Sequence, residues 1–251
     1  MNTRIISVSN HKGGSLKTST AVSVGSILSR RGYKVLLIDL DAQANLTNSL
    51  LEGNHDENIY TAMTGKSRLP ILPISETLYV VPASLQLGMI DLELSSAIAR
   101  ERILADLLEP IKDMFDFIFL DCPPSLGILT LNAFTASTDI IVPMVAEVLP
   151  FQGLKMISTF LATVNKRLNP KVKILGILIA RFEEVKLSRM IEQKLRSQLG
   201  EMVFTTKIRK NITVAAAPLE HKDIQAFDPR SNGAKDYMAF TEELLSRLNM
   251  K

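Results

Sequence analysis

Tryptophan is absent and cysteine occurs once, at Cys122, in a chain of 251 residues. A lone thiol closes no internal disulfide, cannot build a four-cysteine metal site within one chain, and argues for a reducing compartment. The three histidines, His11, His55 and His221, stand far apart and lack metal-ligand spacing. They are expected on loops or at the surface. No apolar run reaches the roughly 18 residues that a membrane span needs. The opening Met1-Asn2-Thr3-Arg4-Ile5-Ile6-Ser7-Val8 reads as a short strand, too short for the apolar region of a signal peptide. The closing segment 237–251 carries two glutamates, Glu242 and Glu243, and few bases. It reads as a docked helix and lacks the basic amphipathic face of a membrane anchor. Repeats, low-complexity stretches and long linkers are also missing.

What is present is ordinary globular composition, with 46% hydrophobic and 22% charged residues. The net charge of +3 is unevenly spread: residues 1–150 balance at −5 and residues 151–251 at +8. A basic C-terminal part attracts polyanions such as DNA; scattered, solvated lysines are the alternative.

The apolar residues cluster in continuous runs: Ile5–Val8, Val35–Ile38, Leu78–Val81, Phe117–Leu120, Ile140–Val142 and Ile174–Ile179. Strands of a parallel sheet, buried on both faces, have this pattern. Helical patterns lie between them at Thr18–Arg31, Leu85–Leu94, Glu101–Met114, Leu126–Ala136, Phe151–Leu168 and Leu187–Leu199, and a last one spans about Gly233–Leu248. Segment Gly53–Pro82 is the least regular and reads as a short helix and loops before a strand. The alternation predicts an α/β fold: one domain over residues 1–251, a mostly parallel sheet with helices on both faces.

The first strand runs into Ser9-Asn10-His11-Lys12-Gly13-Gly14-Ser15-Leu16-Lys17-Thr18-Ser19 and then a helix. A glycine-rich turn followed by a helix N-terminus aims backbone N–H groups at an anion. In a P-loop, Lys17 would neutralise the β- and γ-phosphates of a nucleotide and the Thr18 hydroxyl would ligate Mg²⁺. Leu16 stands where the motif has glycine. If that position needs a left-handed backbone, leucine costs about 1–2 kcal/mol. The expectation is either a rearranged loop with weaker nucleotide affinity or slowed hydrolysis. The competing reading is a Gly-Gly turn before a helix capped by Thr18 or Ser19.

Two acidic elements follow strands. Asp39 and Asp41 close the second strand, and Asp121 ends Phe117–Leu120 ahead of Cys122-Pro123-Pro124-Ser125. Ligands of open parallel sheets bind beyond the strand C-termini. An aspartate ending an apolar strand is the Walker B arrangement, which holds the Mg²⁺ shell. Taken singly, each could be a loop aspartate capping a helix. Together and in this order they point to a nucleotide switch.

These residues resemble the ParA family of deviant-Walker-A ATPases, which includes MinD and the nitrogenase iron protein. The resemblance rests on Lys12-Gly13-Gly14-x-x-Lys17-Thr18, Asp39-x-Asp41-x-Gln43-x-Asn45 and Asp121-Cys122-Pro123-Pro124-Ser125. It extends to Glu147-x5-Gly153-Leu154, Ile208-Arg209-Lys210-Asn211, Ala217-Pro218 and Asp228-Pro229-Arg230-Ser231-x-Gly233-Ala234. It implies an ATPase with ATP and Mg²⁺ as cofactors. Lys12 would reach across a nucleotide-sandwich homodimer to the partner's phosphates, and Gly13 would sit at the dimer face. Asp41 would position the attacking water. Thr18, Asp39 and Asp121 would support the metal. Residues 12–19 (Lys12, Gly13, Gly14, Ser15, Leu16, Lys17, Thr18, Ser19) would bind the nucleotide, with the segment around Ala180–Phe182 and the loop at Ala217–Pro218 flanking the adenine. The ATP dimer would hold non-specific DNA, a ParB-type partner would stimulate hydrolysis, and the protein would be cytoplasmic and nucleoid-associated, with no membrane partner.

The chain departs from that pattern at Leu16, at Ala42 in place of a switch proline, at Thr213 in place of an arginine, and at Glu183-Glu184-Val185-Lys186, where an arginine is usual. Lys186, Arg189, Lys194, Arg196, Lys207, Arg209 and Lys210 are the candidate replacement DNA contacts, since phosphate contacts need charge in reach and not one fixed position. Solvated faces of a helix and a turn are the alternative. The rivals are a MinD-like membrane switch, an iron-protein-type reductase, which a lone Cys122 does not suit, and a nucleotide-insensitive DNA-binding scaffold.

Overall fold

The computed structural model describes residues 3–146 and 150–250. One eight-stranded sheet runs through it: β1 (Arg4–Val8), β2 (Val35–Asp39), β3 (Leu72–Pro73), β4 (Leu78–Val81), β5 (Phe117–Asp121), β6 (Asp139–Val145), β7 (Lys173–Phe182) and β8 (Val203–Arg209). The spatial order is β3-β4-β2-β5-β1-β6-β7-β8. Every pairing is parallel except β3 with β4.

The continuous apolar runs are explained by the two faces. Along β2, Leu36 and Ile38 join one core while Val35 and Leu37 join the other. Along β5, Ile118 and Leu120 face the first core and Phe117 and Phe119 the second. Successive side chains point to opposite faces, so a strand covered on both sides must be apolar at every position. The helices Ile128–Ala136 and Pro150–Arg167 cover one face through Phe134, Leu154, Ile157 and Leu161. Lys17–Arg30 and Asn232–Arg247 cover the other through Val24, Leu28, Tyr237, Phe240 and Leu244.

Three expectations change, the first being that the helix expected over Leu85–Leu94 is a 3-10 helix, Leu85–Met89, running into one α-helical turn, Ile90–Glu93. The helix expected over Glu101–Met114 is two short pieces, Ile103–Leu108 and a 3-10 turn Lys112–Met114. Pro110 lies between them; it lacks an N–H and its ring clashes with the preceding turn, so the helix stops. Strand β8 was not expected. It lies at the sheet edge and its Thr205, Thr206 and Lys207 stand among the apolar positions, so no continuous run marks it. The irregular segment after Gly53 holds the expected short helix, Ile59–Met63, capped by the Asn58 side chain, which accepts from the Tyr60 and Thr61 amides.

Candidate functional site

The phosphate loop leaves the C-terminal end of β1. Asn10 anchors it: its Nδ2 donates to the Pro143 carbonyl at 2.6 Å, and its Oδ1 accepts from the Lys12 amide at 3.2 Å. The Lys12 carbonyl accepts from Ser15 Oγ at 3.1 Å and from Lys17 Nζ at 3.4 Å, which curls the loop over the buried Lys17. Gly14 takes a φ of +71°, and Leu16 follows at φ 64°. Leu16 is therefore a left-handed leucine, the conformation for which the motif uses glycine. Its side chain is half-buried against the core beneath the loop, which offsets part of the cost. Leu16 is the N-cap of the helix Lys17–Arg30 and supplies no side-chain acceptor. The first-turn amides are thus left for a ligand.

A cavity of about 630 Å³ opens at this helix N-terminus. Residues 13–19 line it, together with Asp41, Gln43, Asn45 and Pro124 on one side and Ala217, Pro218 and Lys222 on the other. Leu16 forms part of the wall and does not fill the space.

Asp39 and Asp121 end neighbouring strands in register with each other. Both are buried. Asp39 accepts from the Thr47 amide and hydroxyl at 2.9 and 2.8 Å and from the Asp41 amide at 3.1 Å. Burial outweighs those bonds and pushes its carboxyl up to about 6. Asp121 is pushed well above the usual carboxylate range by burial and by the neighbouring Asp39, against the opposing pull of Thr18 and Lys17. Thr18 Oγ1 donates to Asp121 Oδ2 at 2.6 Å, whereas Asp121 Oδ1 is buried with no hydrogen-bond partner. Two neighbouring buried carboxyl groups, a hydroxyl and an orphaned carboxyl oxygen ask for a cation. Among the described residues no group of three or more His, Cys, Asp or Glu could hold a metal ion. The donor set fits Mg²⁺, which takes one or two protein oxygens and fills the rest of its octahedron with water and phosphate.

Asp41 lines the cavity, and its Oδ1 accepts from the Gln43 amide at 3.0 Å. Ala44, two residues after Ala42, adopts φ 52° as the N-cap of the helix Asn45–Leu50. Across the cavity, Asp223 accepts from Arg30 at 2.9 and 2.6 Å and caps the helix Ile224–Phe227, which steadies the segment that carries Pro218.

Phe182 is placed elsewhere than expected. It is 2% exposed, packed with Ile179, Ile191, Leu195 and Val203, and Lys207 Nζ lies 3.7 Å from its ring centroid. It is a core residue and does not line the cavity, a correction to the adenine-flanking role. Its neighbour Arg181 lies in the segment Ala180–Phe182 that was expected beside the adenine, with no separate role assigned to it. Arg181 sits at φ 51° where the β7–β8 register shifts, and a Cβ built on Gly14 would lie 3.5 Å from its Nη1. Nothing within an apolar strand signals a cation folded back onto the phosphate loop.

The seven candidate DNA contacts do not form a free basic face. Arg209 grips Asp236 through Nε and Nη2, the shortest bond being 2.6 Å. Lys207 reaches Glu192 at 2.8 Å and Glu184 at 3.7 Å. Arg196 shares Glu192 at 3.0 Å, Arg189 pairs with Glu184 at 2.9 Å, and Lys210 pairs with Glu183 at 3.0 Å. Lys194 lies 5.6 Å from the centroid of the Phe151 ring. Of the seven, Lys186 and Lys194 have no carboxylate partner among the described residues. Sequence spacing did not show that β8 brings Lys207 and Arg209 beside acidic residues of two helices.

Glu147 of the proposed strand-to-helix resemblance lies outside the described residues. Gly153 of the same segment packs against His11: a Cβ there would fall 2.1 Å from the His11 ring. A side chain at position 153 would displace the partly buried His11 ring.

An AAA-domain family model, AAA_31, matches residues 3–174. The sporulation initiation inhibitor protein Soj of Bacillus subtilis is 34% identical over 247 residues, covering 96% of this chain and 98% of that protein. The chromosome partitioning protein ParA of Myxococcus xanthus is 34% identical over 253 residues, covering 97% of this chain and 88% of its own length. Among solved structures, the cobyrinic acid a,c-diamide synthase of Mycobacterium smegmatis, with a bound ATP analogue and magnesium, superposes with a TM-score of 0.84 at 30% identity. That match covers 98% of this chain and 96% of the other.

Proposed function

This chain belongs to the ParA/Soj family of P-loop ATPases, and on that premise we propose that it is a Mg²⁺-dependent ATPase that drives DNA segregation by cycling between an ATP-bound, DNA-binding dimer and a released monomer. The observation that carries the reading is the Thr18–Asp121 hydrogen bond with its orphaned Oδ1, set beside the loop that curls over Lys17.

The residues divide the work as follows. Lys17 and the amides of residues 13–19 bind the β- and γ-phosphates. Thr18 and Asp121, with Asp39 behind them, would hold Mg²⁺, which would supply charge neutralisation for phosphoryl transfer. Asp41 positions the attacking water from the cavity wall. Lys12 is exposed at the loop, from where it reaches the phosphates of a second copy and ties dimerisation to ATP. The Ala217–Pro218 segment flanks the adenine. Left-handed Leu16 slows turnover and does not abolish nucleotide binding, because the cavity stays open beside it. Hydrolysis, stimulated by a ParB-type partner, ends the DNA-bound state, and the protein works in the cytoplasm on the nucleoid. Among the described residues no helix is long and apolar enough to cross a membrane.

The deciding experiment measures ATP and ADP affinity and turnover, with and without duplex DNA. Lys17→Ala should abolish ATP binding, and Asp41→Ala should trap an ATP-bound dimer that retains DNA. Absence of nucleotide binding at millimolar concentration would leave a DNA-binding scaffold as the surviving reading. Flotation with anionic liposomes would instead favour a membrane-positioning switch.

A further inference from the structure

Residues 148–182 contain no aspartate or glutamate and carry six cations: Lys155, Lys166, Arg167, Lys171, Lys173 and Arg181. Four of these, Lys166, Arg167, Lys171 and Lys173, fall within eight residues, where the helix Pro150–Arg167 ends and β7 begins. All four are exposed, and none has a carboxylate partner among the described residues. This contrasts with the expected DNA contacts, five of which are held by Glu183, Glu184, Glu192 or Asp236.

The turn that carries the four cations is pinned. Asn169 Nδ2 donates to the carbonyls of Phe134, Thr135 and Ser137 at 3.2, 3.0 and 2.7 Å, and its Oδ1 accepts from the Lys171 amide at 3.1 Å. Asn165 Nδ2 donates to the carbonyls of Asn169 and Val172 at 2.9 and 2.8 Å. The backbone between the two cation pairs is therefore fixed before any ligand arrives, which lowers the ordering cost of binding. One acid on the neighbouring strand, Asp139, is paired with Lys173 across the β6–β7 ladder. It is 1% exposed and turned inward to Thr138 and Arg4, so it does not neutralise the outer face.

We infer that Lys166, Arg167, Lys171 and Lys173 form the surface that holds the DNA phosphate backbone. The inference rests on the DNA-segregation reading above and places its DNA contact. Clustered, unpaired cations bind a duplex by releasing condensed counterions, with no sequence preference. An anionic bilayer offers similar charge, but no large apolar side chain is exposed between residues 157 and 184 that could insert into it. The patch sits at the start of β7, the sheet end opposite the phosphate loop, about 30 Å along a ten-residue strand. ATP does not touch it. Joining two chains through their phosphate-loop faces would leave one such patch at each pole of the dimer.

The test uses the full-length chain with ATP and a fluorescent duplex of arbitrary sequence. The fourfold variant Lys166→Glu, Arg167→Glu, Lys171→Glu, Lys173→Glu should lose at least a hundredfold in DNA affinity. The milder fourfold glutamine variant should lose at least tenfold and flatten the dependence of log K on log salt, by about 0.9 for each phosphate contact removed. Both variants should hydrolyse ATP at the unstimulated wild-type rate, which also reports that they fold. A Lys186→Glu, Lys194→Glu pair should change affinity less than threefold. Wild-type affinity in the glutamine variant, with wild-type turnover, overturns the inference and leaves the segregation reading standing. Failure of the unaltered protein to bind DNA overturns both, as does stronger binding to phosphatidylglycerol vesicles than to DNA.

Discussion

Thr18 and Asp121 come from elements 103 residues apart and meet at 2.6 Å, hydroxyl to carboxylate, at the C-terminal edge of the sheet. The second oxygen of Asp121 faces no donor, and Asp39 stands in register beside it. In the ligand-free chain this corner is a stability cost, one that a bound cation would relieve. Asp121→Asn should therefore raise the ligand-free melting temperature at pH 7 by a few degrees, at about 2–4 °C per kcal/mol for a chain of this size. The same change should weaken Mg²⁺-dependent ATP binding at least tenfold. Calorimetry with and without Mg²⁺ reads both effects. A variant that melts lower and binds as tightly would sink the assignment.

A pH dependence follows from Asp39, whose carboxyl rises from 3.8 to about 6 on folding. Folding favours the protonated form. The contribution is full below the unfolded value and is lost as pH climbs through the folded one. The ligand-free chain should lose stability through this group as pH rises from 4 to 7. Saturating Mg²⁺ and ADP should flatten that slope, and Mg²⁺ affinity should fall as pH drops below about 6. Melting curves at pH 5 and pH 7.5, with and without the ligands, give the answer; equal slopes in both series would contradict it.

Leu16 holds φ 64° with its side chain half-buried. Leu16→Gly should recover about 1–2 kcal/mol of backbone strain and give up a similar amount of apolar packing. Melting temperature should move by no more than about 5 °C, while ATP affinity or turnover rises several-fold. A fall in both would mean that the loop depends on the leucine.

Arg181 combines a left-handed backbone with a guanidinium that faces Gly14. Arg181→Gly should hold or raise the melting temperature and weaken ATP binding several-fold, whereas Arg181→Lys should keep most of the affinity. Unchanged ATP binding in the glycine variant would make Arg181 a bystander.

Arg209 was expected to touch DNA and instead ties β8 to the helix Asn232–Arg247 through Asp236. Arg209→Ala should cost about 1–3 kcal/mol, because the mostly buried Asp236 then loses its counter-ion. The melting temperature should drop by roughly 3–10 °C, with DNA affinity per folded molecule altered less than threefold. A large loss of DNA binding without loss of stability would return Arg209 to the DNA surface.

The sequence by itself determined the strands other than β3 and β8, the phosphate loop and the acids, because each is written in local order. Buried parallel strands must be apolar at every position, and Lys12–Thr18, Asp39–Asp41 and Asp121 each follow such a strand directly. Even the left-handed turn at Leu16 was legible, since the motif's glycine marks the backbone that the leucine has to adopt. What only the tertiary structure decided is which charges are spent. Lys207 and Arg209 look free in the chain, but β8 sets them against Glu192 and Asp236, which lie 15 and 27 residues away. Phe182 is buried by packing that no motif encodes, and Arg181 is turned onto the phosphate loop by a break in strand register. Charge in a sequence is a count, whereas charge at a surface is what remains after ion pairing, and pairing between distant elements is settled only when the chain folds.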